Sequence, residues 1–146
     1  KVRRDGANST PTIIRMVGES RFATHVQAIL LQGIAFAGFN VIDLQQVHAA
    51  LGVPVIAIAR KAPDMAAIRR TLLARVPGGR RKWALIERTG AMESLAGVYV
   101  QRAGITPERT RSLIERFAIH SVLPEPLRTA HIIAGGVMQG ESRHRV

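Results

Sequence analysis

The 146-residue sequence predicts an α/β domain with at least two parallel strands at its centre. "VQAILL" at 26–31 and "VPVIAIA" at 53–59 are continuous apolar runs, short enough for strands that are covered on both faces. Each run leads through a turn into a segment whose apolar residues recur at helical spacing. With 47% hydrophobic residues the chain can bury a core of its own, and its length is that of one domain, 1–146.

The elements follow in order. Lys1 to Arg4 read as the tail of a strand that ends at Asp5-Gly6. Thr10-Pro11 puts a capping hydroxyl before a proline and opens a short helix through Ile13, Ile14 and Val17. After the first apolar run, "QGIAFAGFN" is expected to be irregular because of Gly33 and Gly38. Asn40 is the expected cap of a helix carrying Leu44, Val47 and Leu51 on one face and stopped by Gly52. After the second run, Pro63-Asp64 starts a helix with Met65, Ile68, Leu72 and Leu73 inward and Arg69 and Arg70 outward, which "PGGRR" breaks. "KWALIER" and "GVYVQR" are expected to be an antiparallel strand pair. Thr106-Pro107 caps a helix to about Ala118, and Pro124 opens the last one. The sequence contains no internal repeat and no low-complexity linker.

Lys and Arg number 21 against 10 Asp and Glu, a formal charge of +11 that suits phosphate backbones before other partners. The excess of Arg over Lys fits bidentate phosphate contacts, although a GC-rich genome enriches Arg as well. Without cysteine, disulfides, thiolate zinc sites and cysteine nucleophiles are excluded. Every apolar run is interrupted well before the roughly twenty residues that a membrane-spanning helix needs, so no membrane association is expected. Lys1-Val2-Arg3-Arg4 is neither a signal peptide nor a natural start, and an N-terminal portion is expected to be missing.

Most of the carboxylates have ordinary structural explanations. Asp64 fits a helix cap and Glu108 a helix first turn, while Glu19, Glu87 and Glu115 have arginines nearby in sequence. Glu93 falls in an uninformative loop, and Asp5, Asp43, Glu125 and Glu141 remain. Asp5 is expected to project from a sheet edge, and Asp43 lies in the first turn after Asn40. In "PEPLRTAHIIAGGVMQGESR", 124–143, Leu127, Ala130, Ala134 and Val137 form one stripe, while Glu125, Arg128 and His131 recur at every third residue on another. Gly135 and Gly136 each cost a helix interior about 1 kcal/mol relative to Ala. A close approach by a neighbouring strand or by a nucleotide would account for them.

"GIAFAGFNVIDL" at 33–44 and "PEPLRTAHIIAGGVMQGESR" at 124–143 resemble the archaeal endonuclease dU family, and "PVIAIARKAPD" at 54–64 and Asp5-Gly6 with Thr10 fit it too. That family is similar to endonuclease V. The resemblance implies a ribonuclease-H-like mixed sheet flanked by helices, here without its N-terminal strands. It also implies a cytoplasmic, Mg²⁺- or Mn²⁺-dependent endonuclease for DNA repair that cuts at deaminated bases such as deoxyuridine. Asp5, Asp43 and Glu125 are then the expected metal ligands, with Glu141 an alternative carboxylate, His131 moving a proton and Lys61 stabilising phosphate. Gly33 and Asn40 are expected to shape a pocket in which Phe36 or Phe39 stacks on a flipped base, and Arg60, Arg128 and Arg143 to hold the strand. The sequence departs from the pattern at Gln32, a neutral amide where endonuclease V has an Asp, and the first-strand Asp of such nucleases lies outside it. A non-catalytic nucleic-acid-binding module and an interaction protein with Glu125 and Arg128 across a dimer interface stay open as alternatives, as does the oligomeric state.

Overall fold

A computed structural model describes residues 1–141. Helix α1 (Ser9–Gly18) precedes strand β1 (Ile29–Gln32), a small hairpin β2 (Ala35–Phe36) and β3 (Asn40–Val41), and helix α2 (Leu44–Leu51). Strand β4 (Val55–Ala59) leads to the helices α3 (Met65–Arg75) and α4 (Gly79–Thr89). Strands β5 (Glu93–Leu95) and β6 (Val98–Ala103) and helices α5 (Pro107–Phe117) and α6 (Glu125–Gln139) complete the described chain.

The two apolar runs pair as expected: β1 and β4 are parallel, with Ile29 opposite Val55 and Gln32 opposite Ile58. Antiparallel β6 lies on the other side of β4, and the sheet order is β1-β4-β6-β5. The unbroken hydrophobicity of β4 has a direct cause, since Val55 to Ile58 are wholly buried between two helical layers. Val55 and Ala57 join Leu31, Leu44 and Val47 on the α1–α2 face, while Ile56 and Ile58 join Val100, Ile114 and Leu127 on the α5–α6 face. Each fully buried branched side chain stabilises this core by about 1.5–3 kcal/mol.

Several expectations are corrected. Residues 1–4 form no strand; Asp5 sits in a turn at φ 49°, its N–H donating to the Ala37 carbonyl at 2.9 Å. "QGIAFAGFN" contains the β2–β3 hairpin. The cap of α2 is Asp43, whose carboxylate accepts from Gln46 N–H at 3.1 Å, and Asn40 instead lies buried in β3. The Thr10 hydroxyl caps nothing and accepts from Asp43 N–H at 3.0 Å. Leu73, expected inward, is 47% exposed because α3 turns only one narrow side, around Leu72, toward the core.

The largest correction concerns "KWALIER", which is helical. Its Trp83 and Leu85 alternate as in a strand, but the positions that pack inward are Gly79, Lys82 and Ile86, with Trp83 half-buried, at helical spacing. Lys82 disguises the pattern. Its stem is buried and its ammonium reaches the Asp5 carbonyl at 2.5 Å, so a nominally charged residue occupies a core position. The antiparallel partner of β6 is accordingly β5, joined through Ala96 and Gly97, both at positive φ as a two-residue hairpin turn requires.

Candidate functional site

The C-terminal ends of β1 and β4 share one sheet edge, which carries Gln32 and Gly33 on one strand and Ala59, Arg60 and Lys61 on and after the other. Open α/β sheets bind ligands at such edges. Arg60 and Lys61 are exposed there. Helix α6 packs along β1 and brings His131 to Gln32, with His131 Nδ1 2.8 Å from Gln32 Oε1. An amide oxygen only accepts, so Nδ1 carries a hydrogen in this contact, and in the neutral ring Nε2 is then the acceptor. Gln32, unremarkable as a metal ligand, thus holds the His131 ring and selects its tautomer. Ninety-nine positions separate the two residues, and no local spacing signals their meeting.

The four singled-out carboxylates are not brought together as one metal site. Asp43 is 8% exposed and engaged twice, as the α2 cap and in an ion pair with Arg88 at the end of α4. Asp5 accepts from Phe39 N–H at 2.8 Å and pins the tip of the β2–β3 hairpin. Glu125 pairs with Arg128, whose Nη2 is 2.7 Å from Oε2, and the guanidinium hydrogen bond is the main reason its carboxyl is held below the usual range. Glu141 is exposed beyond the end of α6, whose axis rises about 21 Å between Glu125 and Gln139, too far for the two carboxylates to share an ion. Among the described residues, no group of three or more His, Asp or Glu is placed to hold a metal. Helix α6 keeps the expected Glu125-Arg128-His131 stripe, but its first two members spend their charge on each other.

The residues expected around the base have structural partners of their own. Asn40 is wholly buried, accepting from Ser9 N–H at 3.0 Å and donating to the Arg3 carbonyl at 2.8 Å and Asn8 Oδ1 at 2.9 Å. It fastens the N-terminal segment to the hairpin. Phe36 packs half-buried against the α1–α2 cluster and Phe39 against the cluster of Val41, Leu72 and Ile86. Gly33 lies at the candidate edge, and its N–H donates to the Ile58 carbonyl at 2.9 Å. Arg128 is tied to Glu125, and Arg143 lies outside the described residues. Beside β1, whose outer edge ends the sheet order, a cavity of about 850 Å³ runs between α5 and α6, lined by Leu30, Ile105, Leu113, Phe117, Leu127 and Ala130. Among the described residues no helix is long and apolar enough to cross a membrane.

Comparison with known proteins agrees with this architecture. A protein of unknown function from Archaeoglobus fulgidus has a crystal structure that superimposes with a TM-score of 0.90 at 29% identity, over 95% of this chain and 80% of the other. A UPF0215 protein of Deinococcus radiodurans is 52% identical over 142 residues, covering 97% of this chain and 72% of the relative. Another, from Methanothermobacter thermautotrophicus, is 43% identical over 145 residues, covering 97% and 71%. With residues 1–138 matching the family described as Endonuclease dU, and relatives this similar along nearly its whole length, the chain belongs to the endonuclease dU family.

Proposed function

We propose that this chain is a ribonuclease-H-like endonuclease domain that hydrolyses DNA at deaminated bases, deoxyuridine in particular, and that the edge formed by Gln32, Arg60, Lys61 and His131 faces the scissile phosphate. The observation that carries this reading is the family match over residues 1–138. The chemistry of the edge supports it. Lys61 supplies an exposed cation in the bend that follows β4, suited to a phosphate oxygen. His131, with Nδ1–H given to Gln32, presents Nε2 to accept a proton from water or to donate one to a leaving oxygen once protonated. Lys61 follows β4 by two residues, and Gln32 at the end of β1 holds the His131 ring, so the parallel pair helps to position both groups.

We propose a requirement for Mg²⁺ or Mn²⁺ on the strength of the family likeness. Bound to such an enzyme, the ion would activate water and offset charge on the phosphate. The described carboxylates do not fit it as a set: Asp5, Asp43 and Glu125 are committed to an amide, a helix terminus with Arg88, and Arg128. That same observation favours a second reading, a nucleic-acid-binding module without catalysis.

The two readings separate in one assay. Purified protein is incubated with oligonucleotides carrying one deoxyuridine, one hypoxanthine or no lesion, in Mg²⁺, Mn²⁺ or EDTA. The endonuclease reading expects nicking at deoxyuridine that EDTA abolishes, and His131→Ala to lower the single-turnover rate about 10²-fold or more with the circular dichroism spectrum unchanged. Intact DNA in every metal, with binding that salt but not EDTA removes, would establish the binding module instead.

A further inference from the structure

Between Asp64 and Glu87 the chain carries Arg69, Arg70, Arg75, Arg80, Arg81 and Lys82 and not one acidic residue. Folding does not disperse them. Helices α3 and α4 pack together, joined by Val76, Pro77 and Gly78, so the last turn of one meets the first turn of the other. Arg75, Arg80 and Arg81 therefore gather at the tip of this helical hairpin, all exposed. Lys82 is buried on the Asp5 carbonyl and Arg69 lies over the Trp83 ring, 5.9 Å from its centroid. Among the described residues no carboxylate makes an ion pair with Arg70, Arg75, Arg80 or Arg81.

The helix dipole favours Arg75, in the last turn of α3, but not Arg80 and Arg81. Cations in the first turn of a helix oppose the macrodipole, and like charges at close quarters repel. Helix α5 follows the favourable pattern, with Glu108 in its first turn and Arg116 in its last, whereas α4 has no acid in its first turn and two arginines there. An external polyanion would turn the cost into attraction. Guanidinium groups suit phosphate oxygens bidentately. The hairpin also lacks the apolar face that a membrane surface would require, Leu73 being its one well-exposed large hydrophobic side chain.

We propose that the α3–α4 tip is a second phosphate-contact surface, which grips nucleic-acid backbone away from the candidate edge and supplies sequence-independent affinity; this rests on nucleic acid being the partner, as in the preceding section. Helix α3 begins four residues after Lys61, and its 11 residues rise about 16 Å from start to tip, a length of about five base steps.

The test measures anisotropy of a labelled 30-base-pair undamaged duplex in EDTA across a KCl series. Three proteins are compared: the unmodified chain, Arg75→Gln/Arg80→Gln/Arg81→Gln, and Arg109→Gln/Arg111→Gln/Arg116→Gln, which removes equal charge from exposed positions on α5. Loss of the tip arginines is expected to weaken binding at least 10-fold near 100 mM salt and to lower the slope of log K against log salt by about 2.7, or 0.9 per contact. The α5 variant should change affinity less than about 3-fold. The three single Arg→Gln tip variants, each lowering the slope by about 0.9, serve if the triple variant misfolds. Equal losses in both triple variants, or none at the tip, overturn the proposal while leaving nucleic-acid binding in place. No binding by the unmodified chain, or tip-dependent binding to phosphatidylserine vesicles alone, overturns both this surface and the nucleic-acid reading. Tip-dependent binding without cleavage at deoxyuridine supports the surface and removes only the endonuclease.

Discussion

Asp43 shows how a single carboxylate can suggest metal chemistry and be fully occupied by structure. Its oxygens end one helix and receive an arginine from another, so its removal touches two elements at once. Asp43→Asn keeps a good cap and loses the ion pair with half-exposed Arg88, at an expected cost of about 1 kcal/mol or less. Asp43→Ala loses both, about 2 kcal/mol by urea unfolding. A role confined to metal binding predicts no loss in either variant. Gln32 is the opposite case, a residue with no obvious chemistry that acquires a role by contact. Gln32→Leu should lower turnover about 10-fold at unchanged KM. The ¹⁵N spectrum of His131 should shift from the Nδ1–H form toward a mixture of tautomers. An unchanged spectrum would deprive Gln32 of its positioning role.

Among the elements, α4 depends on the smallest residue in the chain. A Cβ on Gly79 would lie well inside contact distance of the Leu72 carbonyl oxygen, because the two helices touch backbone to backbone there. In an isolated helix Gly79→Ala would stabilise by up to about 1 kcal/mol; here it is expected to destabilise by about 2–3 kcal/mol. The sign of the measured change decides whether the contact exists. Helix α6 is anchored at its start by Glu125, whose lowered carboxyl ties it first to Arg128 and then to the His120 backbone N–H. A depressed carboxylate adds stability that is complete above its unfolded value, about 4.3, and disappears as pH falls through the folded value. Glu108, held low by its own backbone amide and the Thr106 hydroxyl, acts in the same direction at the start of α5. Glu125→Gln should therefore flatten the acid side of the stability curve and leave the neutral region little changed.

For the whole molecule the controlling quantity is surplus positive charge. Twenty-one cationic and ten acidic side chains leave +11, and ion pairs such as Arg88–Asp43 and Arg128–Glu125 neutralise little of the clustered arginine. Self-repulsion at low ionic strength should be relieved by salt, raising Tm by roughly 3 °C between 20 and 300 mM KCl. Binding to DNA should respond to the same salt with the opposite sign. A Tm that falls over this range would show that attractive pairs outweigh the repulsion.

Sequence alone determined the buried parallel pair, the caps at Asp64 and Thr106, the start of α6 and the family, because each is written in contiguous residues whose hydrophobicity or capping chemistry acts locally. "KWALIER" shows where that ends: a lysine counted as polar occupies a core position only because the Asp5 carbonyl, 77 positions away, is there to receive it. The tertiary structure decided which side chains are already engaged, for the same reason. Whether a carboxylate is free for a metal or a histidine is held in one tautomer depends on partners such as Arg88 and Gln32, which the fold supplies from distant positions and which no spacing along the chain encodes.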